Sequence, residues 1–112
     1  MIATDFSMGV GTDNIVTINM VPPVAIAGWS IKFWCCKRFG GKSTPLFEKW
    51  YASGYNGVSG ITIVNSGEGI FNVRINAVDT SGFDAGNYAN GCDRLSSGAV
   101  TQLSEGFLNL VI

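Results

Sequence analysis

Ile70-Phe-Asn-Val-Arg-Ile-Asn-Ala77 decides the fold class: Phe71, Val73, Ile75 and Ala77 alternate with Asn72, Arg74 and Asn76. Successive residues of a strand point to opposite faces, so this run is a strand with one buried face. Ile61–Asn65 precedes it across the turn-type residues Ser66-Gly-Glu-Gly69. Farther upstream, Gly28 opens a run in which Trp29, Ile31, Phe33 and Cys35 share one face and Ser30, Lys32, Trp34 and Cys36 the other. From Asn14 to Met20, Val16, Ile18 and Met20 share a face until Pro22-Pro23, which cannot donate to a ladder, ends the strand. Leu46 to Ala52 reads as a third strand or a short helix, and Asn56-Gly57 is the best tight-turn pair. Downstream, Val78 to Ala85 turns the chain, and Gly86–Leu95 and Ala99–Leu103 flank Ser96-Ser-Gly98 as a hairpin. Phe107–Ile112 follows Ser104-Glu-Gly106 as a last strand. Seven or so short strands at this spacing predict an all-β protein, a single antiparallel β-sandwich. The first dozen residues, 1–12, with Gly9 and Gly11, are expected as a flexible arm, leaving 13–112 as the sandwich.

Composition narrows the function. The 112 residues are 46% hydrophobic but only 13% charged, with 15 Gly and a formal net charge of −1. So weak a field gives no long-range attraction to nucleic acid or anionic membrane. The opening residues lack a basic region followed by an apolar run, and no apolar stretch reaches the length of a bilayer span, so synthesis in the cytoplasm is expected. Cys35, Cys36 and Cys92 are an odd set without zinc spacing, expected as reduced thiols. Strand alternation predicts one of Cys35 and Cys36 buried and the other facing outward.

Catalytic chemistry finds little to use. The chain has no His, which removes the common hydrolase triads. Asp79, Asp84 and Asp93 are conceivable as a carboxylate pair, but Asp79-Thr-Ser-Gly and Phe83-Asp-Ala-Gly read better as turns in which Asp caps backbone amides. Gly40-Gly-Lys-Ser-Thr44 mimics the end of a phosphate loop, yet Cys36 stands where that motif needs its earlier glycine and Pro45 follows at once. No cofactor and no metal site are expected.

The interface candidates are Trp34, Lys37, Arg38, Phe39, Lys42, Tyr51 and Tyr55. Lys32, Lys37, Arg38, Lys42 and Lys49 fall within 18 residues against only Glu48. They read as a solvated loop or as a basic patch for an acidic partner surface, another copy of the chain included. Trp34, Tyr51 and Tyr55 read as an exposed apolar patch or as stacking platforms for glycans, unless both faces of the Trp29–Cys36 strand are buried.

The C-terminal third reads Asp79-Thr-Ser-Gly-Phe-Asp-Ala-Gly-Asn-Tyr88, then Cys92-Asp-Arg-Leu-Ser-Ser-Gly98, then Gln102-Leu-Ser-Glu-Gly106 and an apolar strand. It resembles the closing part of small Ig-like β-sandwich domains of tailed-bacteriophage virion proteins, notably the amino-terminal domain of baseplate upper proteins and related head or tail accessory proteins. The likeness is best over residues 60–112 and only one of pattern over Asn14–Lys37. It implies an Ig-like sandwich without enzymatic activity, in which Gly86 and Tyr88 form a corner, Gly98 a hairpin turn and Gly106 a bend before the last strand. It implies a virion building block present in many copies, docked on the major capsid protein or other virion proteins. Decoration, cement or fibre attachment on the capsid is the leading expectation, and a tail or baseplate accessory role or a carbohydrate-binding module the alternatives.

Overall fold

The computed structural model describes residues 2–38, 45–51, 60–96 and 99–112. Nine strands and one helical turn follow in order among them: β1 (Ile2–Ala3), β2 (Phe6–Gly9), β3 (Asn14–Asn19), β4 (Ser30–Cys36), β5 (Phe47–Tyr51), β6 (Ile61–Asn65), β7 (Ile70–Ile75), α1 (Ala77–Thr80), β8 (Gly86–Ser96) and β9 (Ala99–Val111). The larger sheet runs β1-β9-β8-β4-β5, with β2 also on β9, and the smaller runs β3-β7-β6. Phe71, Val73 and Ile75 of β7 and Ile18 of β3 meet Ile31, Phe33 and Cys35 of β4 and Leu108 and Leu110 of β9 in one core. The alternation in Ile70–Ile75 and in Trp29–Cys36 therefore points the way the sequence predicts.

Two elements differ from expectation, and a third settles an alternative. The expected arm, 1–12, is instead structural: Ile2–Ala3 and Phe6–Gly9 pair in parallel with β9, and Met8 is buried in the core. Of the strand and the short helix expected over Leu46–Ala52, the described residues Phe47–Tyr51 form the strand β5. Ala99–Leu103 and Phe107–Ile112 join into the continuous strand β9, because Ser104-Glu-Gly106 stays extended opposite Asn90–Cys92 and only a register shift at Cys92/Asp93 interrupts the ladder.

The turn after β7 is fixed by its acids, as turn chemistry predicts. The Asn76 amide donates to the Asp79 carboxylate at 2.7 Å, and the Ala77 amide donates to Asp13 at 2.8 Å. These bonds serve amide groups that a single helical turn cannot satisfy internally.

Candidate docking surfaces

Trp34, read as an exposed contact, is only 2% exposed, on the face of β4 opposite the main core, with Cys36 and Ala89. It is directly opposite Gly91 of β8, where an added Cβ would stand 2.5 Å from the indole Cζ2. The indole thus occupies the room a side chain at 91 would need, and both faces of β4 are buried. The expectation that one of Cys35 and Cys36 faces outward fails for the same reason: they lie on opposite faces and both are covered. Cys92 is buried too. Burial, with Cys36 adding to it, pushes the Cys35 thiol up to about 12. Burial likewise pushes Cys92 up to about 12, against a lowering hydrogen bond from Ser104. Such thiols stay protonated and are poor nucleophiles.

The basic cluster is divided by the strand alternation. Lys32 pairs with Glu48 at 3.3 Å and lies 5.3 Å from the Trp50 ring. Lys49, on the opposite face of β5, is 6% exposed and reaches Asp79 at 2.7 Å, tying the larger sheet to α1. Its stem passes beneath Gly60, where a Cβ would meet the lysine Cδ at 2.6 Å. Lys37 and Arg38 are exposed just past the end of β4. Tyr51 packs half-buried against the core rather than standing on the surface. Phe39, Lys42, Tyr55 and Gly98 lie outside the described residues.

The framework residues of the C-terminal third stand at junctions. The Tyr88 hydroxyl donates to the Asp84 carbonyl at 2.8 Å, the bond of a tyrosine corner. Gly86, with φ +149°, opens β8 two residues before it. Gly106 is not a bend: it sits inside β9, and a Cβ there would lie 2.5 Å from the Thr4 carbonyl carbon. Its bareness lets the chain at Thr4 lie close against β9. Asn90, directly across the ladder from Gly106, accepts from the Thr4 hydroxyl at 2.7 Å and donates to the Thr4 carbonyl at 3.0 Å. In antibody-type domains the position two after the corner tyrosine is a cysteine joining the sheets. Here it is Asn90, joining β8 to the N-terminal segment. Sequence reading missed Lys49, Asn90 and Thr4 as partners, although Lys49 between Phe47 and Tyr51 sits in the alternation at a core-facing position.

Among the described residues no group of three or more His, Cys, Asp or Glu could hold a metal ion, and no helix is long and apolar enough to cross a membrane.

Two sheets packed face to face, a tyrosine corner and the pairing of the first strands with the last define an Ig-like β-sandwich. Solved structures agree. Bovine butyrophilin superposes with a TM-score of 0.53 at 18% identity, covering 93% of this chain and 48% of the other, so the chain spans about half the butyrophilin length. The NK cell receptor NKp44, a triggering partner in natural cytotoxicity, gives a TM-score of 0.51 at 21% identity over 97% of this chain and 98% of its own. At these identities the likeness is one of fold. No protein-family model and no curated protein matches the sequence.

Proposed function

We propose that this chain is a non-enzymatic structural subunit of a tailed-bacteriophage virion that docks on the capsid surface as a decoration, cement or fibre-attachment protein. The observation that carries the reading is the C-terminal third, whose residues resemble phage virion domains and serve here as framework. Tyr88 ties β8 to Asp84, Gly86 opens that strand, and Gly106 admits the chain at Thr4. The three thiols are buried and Lys49 is paired with Asp79, so none of these groups is presented to a partner. Lys37 and Arg38 offer two adjacent exposed cations at the end of β4 to an acidic capsid surface. Trp34, one ring of the glycan-platform alternative, is closed off within the fold.

Sedimentation velocity of the purified protein alone, and then with empty capsids or isolated tails of one particle, tests the proposal. Saturable co-sedimentation with capsids is expected. Binding to tails alone would replace the capsid role by a tail or baseplate one, and binding to neither would overturn the virion reading.

A further inference from the structure

We infer that the free edge of β3 is a strand-accepting groove, which takes an extended segment of a partner protein as a fourth strand of the smaller sheet. Met20 donates its amide to Gly69 at 3.0 Å, and on the other side of β7 Arg74 donates to Gly60 at 2.7 Å. In an antiparallel ladder these bonds alternate, so Ile18 and Val16 also face β7, whereas Ile15, Thr17 and Asn19 turn their amides and carbonyls away from it. Among the described residues no strand pairs with β3 on that side.

The topology leaves a place for one strand. Ig-type sandwiches set strands A, B, E and D in one sheet. Here β3, β7 and β6 stand in the order of B, E and D, while β1 and β2 go to β9 in the other sheet. The sheets meet at the opposite margin, where Trp50 of β5 bridges to Gly60 beside β6. The larger sheet therefore extends past β3. Between Ala3–Asp5 on that overhang and Val16–Asn19 with Val21 lies an open groove of about 440 Å³.

The other three sheet edges are guarded and this one is not. β5 carries Glu48 and Lys49, β6 is broken by a register shift at Ile63/Asn65, and the β1/β2 edge is interrupted at Thr4–Asp5. β3 runs six residues, Asn-Ile-Val-Thr-Ile-Asn, without charge, proline or bulge. Exposed edges are normally blunted by such devices, because an unpaired row of peptide groups templates strand addition. The chemistry that fits is an extended main chain, uncharged, with alternate apolar side chains turned inward over Val16 and Ile18. A second copy joined β3 to β3 fits worse, since a two-fold axis normal to the sheet would drive the two overhangs at Ala3–Asp5 into each other. The inference holds whichever surface the protein docks on.

The test is amide hydrogen exchange of the full chain, with and without a lysine-flanked peptide of alternating threonine and valine. Saturating peptide should slow the amides of Ile15, Thr17 and Asn19 by about tenfold or more, as new backbone bonds form. Those of β5 and β6 should be unaffected. The same peptide N-methylated at alternate residues should give no protection, a control that leaves the protein unaltered. Thr17→Pro, which removes an outward amide, should abolish the effect and Thr17→Val should retain it. Protection nowhere, or on β5, β6 or the β1/β2 edge instead, overturns the inference. Concentration-dependent protection of β3 without peptide overturns it in favour of self-pairing.

Discussion

Asn90 holds Thr4 by two hydrogen bonds, one accepted from the hydroxyl at 2.7 Å and one donated by its amide to the carbonyl at 3.0 Å, between positions 86 apart in the chain. Asn90 is fully buried and Thr4 nearly so, hence neither has water as a substitute partner. Removing one side of a buried bond leaves the other unsatisfied, at about 1–3 kcal/mol per group. Asn90→Ala should therefore lower stability by about that much for each Thr4 group it orphans, and Thr4→Val should cost less, because the carbonyl keeps its donor. Urea denaturation measures both. Equal and negligible losses would show that the pair does not tie the N-terminal segment down.

Gly106→Ala tests the same junction from β9. The new Cβ would press on the Thr4 backbone and on the Asp5 carboxylate, which accepts the Phe107 amide at 2.8 Å. Backbone cannot yield as a flexible side chain can, so the expected outcome is local: faster exchange of the β2 amides, Phe6–Gly9, while β4 and β8 keep their protection. Unchanged exchange in β2 would mean that the close approach is not what requires glycine.

How much was legible in the sequence follows from what each signal measures. Alternation reports which side chains share a face, and it placed Phe71, Val73, Ile31 and Phe33 together in the core. It does not report whether the second face is covered, so it leaves Trp34 open between surface and interior, and the approach of the ring to Gly91 decides for the interior. Glycine is ambiguous in sequence: Gly106 suits a bend as well as a close approach, and only the passage of Thr4 distinguishes them. Two strands of two and four residues are too short for a period to register, which is why the N-terminal segment read as an arm. The surface proved least legible. The lysines of one run divide between Glu48, Asp79 and solvent according to strand parity and a turn 30 residues away.

Lys49 and Asp79 form a nearly buried ion pair between β5 and α1. Breaking such a pair from one side strands a charge, at about 3–5 kcal/mol, whereas replacing both partners by apolar groups is often neutral. Lys49→Met should thus destabilise strongly, and Lys49→Met with Asp79→Leu should recover part of the loss. The Asp79 carboxylate also receives the Asn76 amide, so recovery will be incomplete. Thermal melts of the two single variants and the double one decide this; additive losses would mean that the two charges are not coupled.

Trp34→Ala should act on folding and not on docking alone. The ring is buried over Gly91, so truncation opens a cavity costing about 3–5 kcal/mol. Lys37→Glu with Arg38→Glu should do the reverse, leaving the melting temperature unchanged while weakening capsid binding, since both are exposed beyond β4. A Trp34→Ala protein with wild-type stability would return that ring to the surface, and a charge-reversed protein that still binds would remove the cations from the docking site.

The thiols give a pH dependence of known sign. Cys35 and Cys92 are held near 12 in the folded chain, above the ordinary value of 9.0, so between these limits the unfolded state loses protons that the folded state keeps. Stability then falls as pH rises through that window, and below about 9 these two groups contribute no slope. Cys35→Ala/Cys92→Ala should flatten the decline relative to wild type in urea titrations between pH 9 and 11, whatever the cavities cost at pH 7. At pH 8 a disulfide reagent should label neither Cys35 nor Cys92 in the native protein and should label both in denaturant. Rapid native labelling of Cys92, which bridges no surface and lies at 0% exposure, would mean that the core opens far more readily than its packing implies.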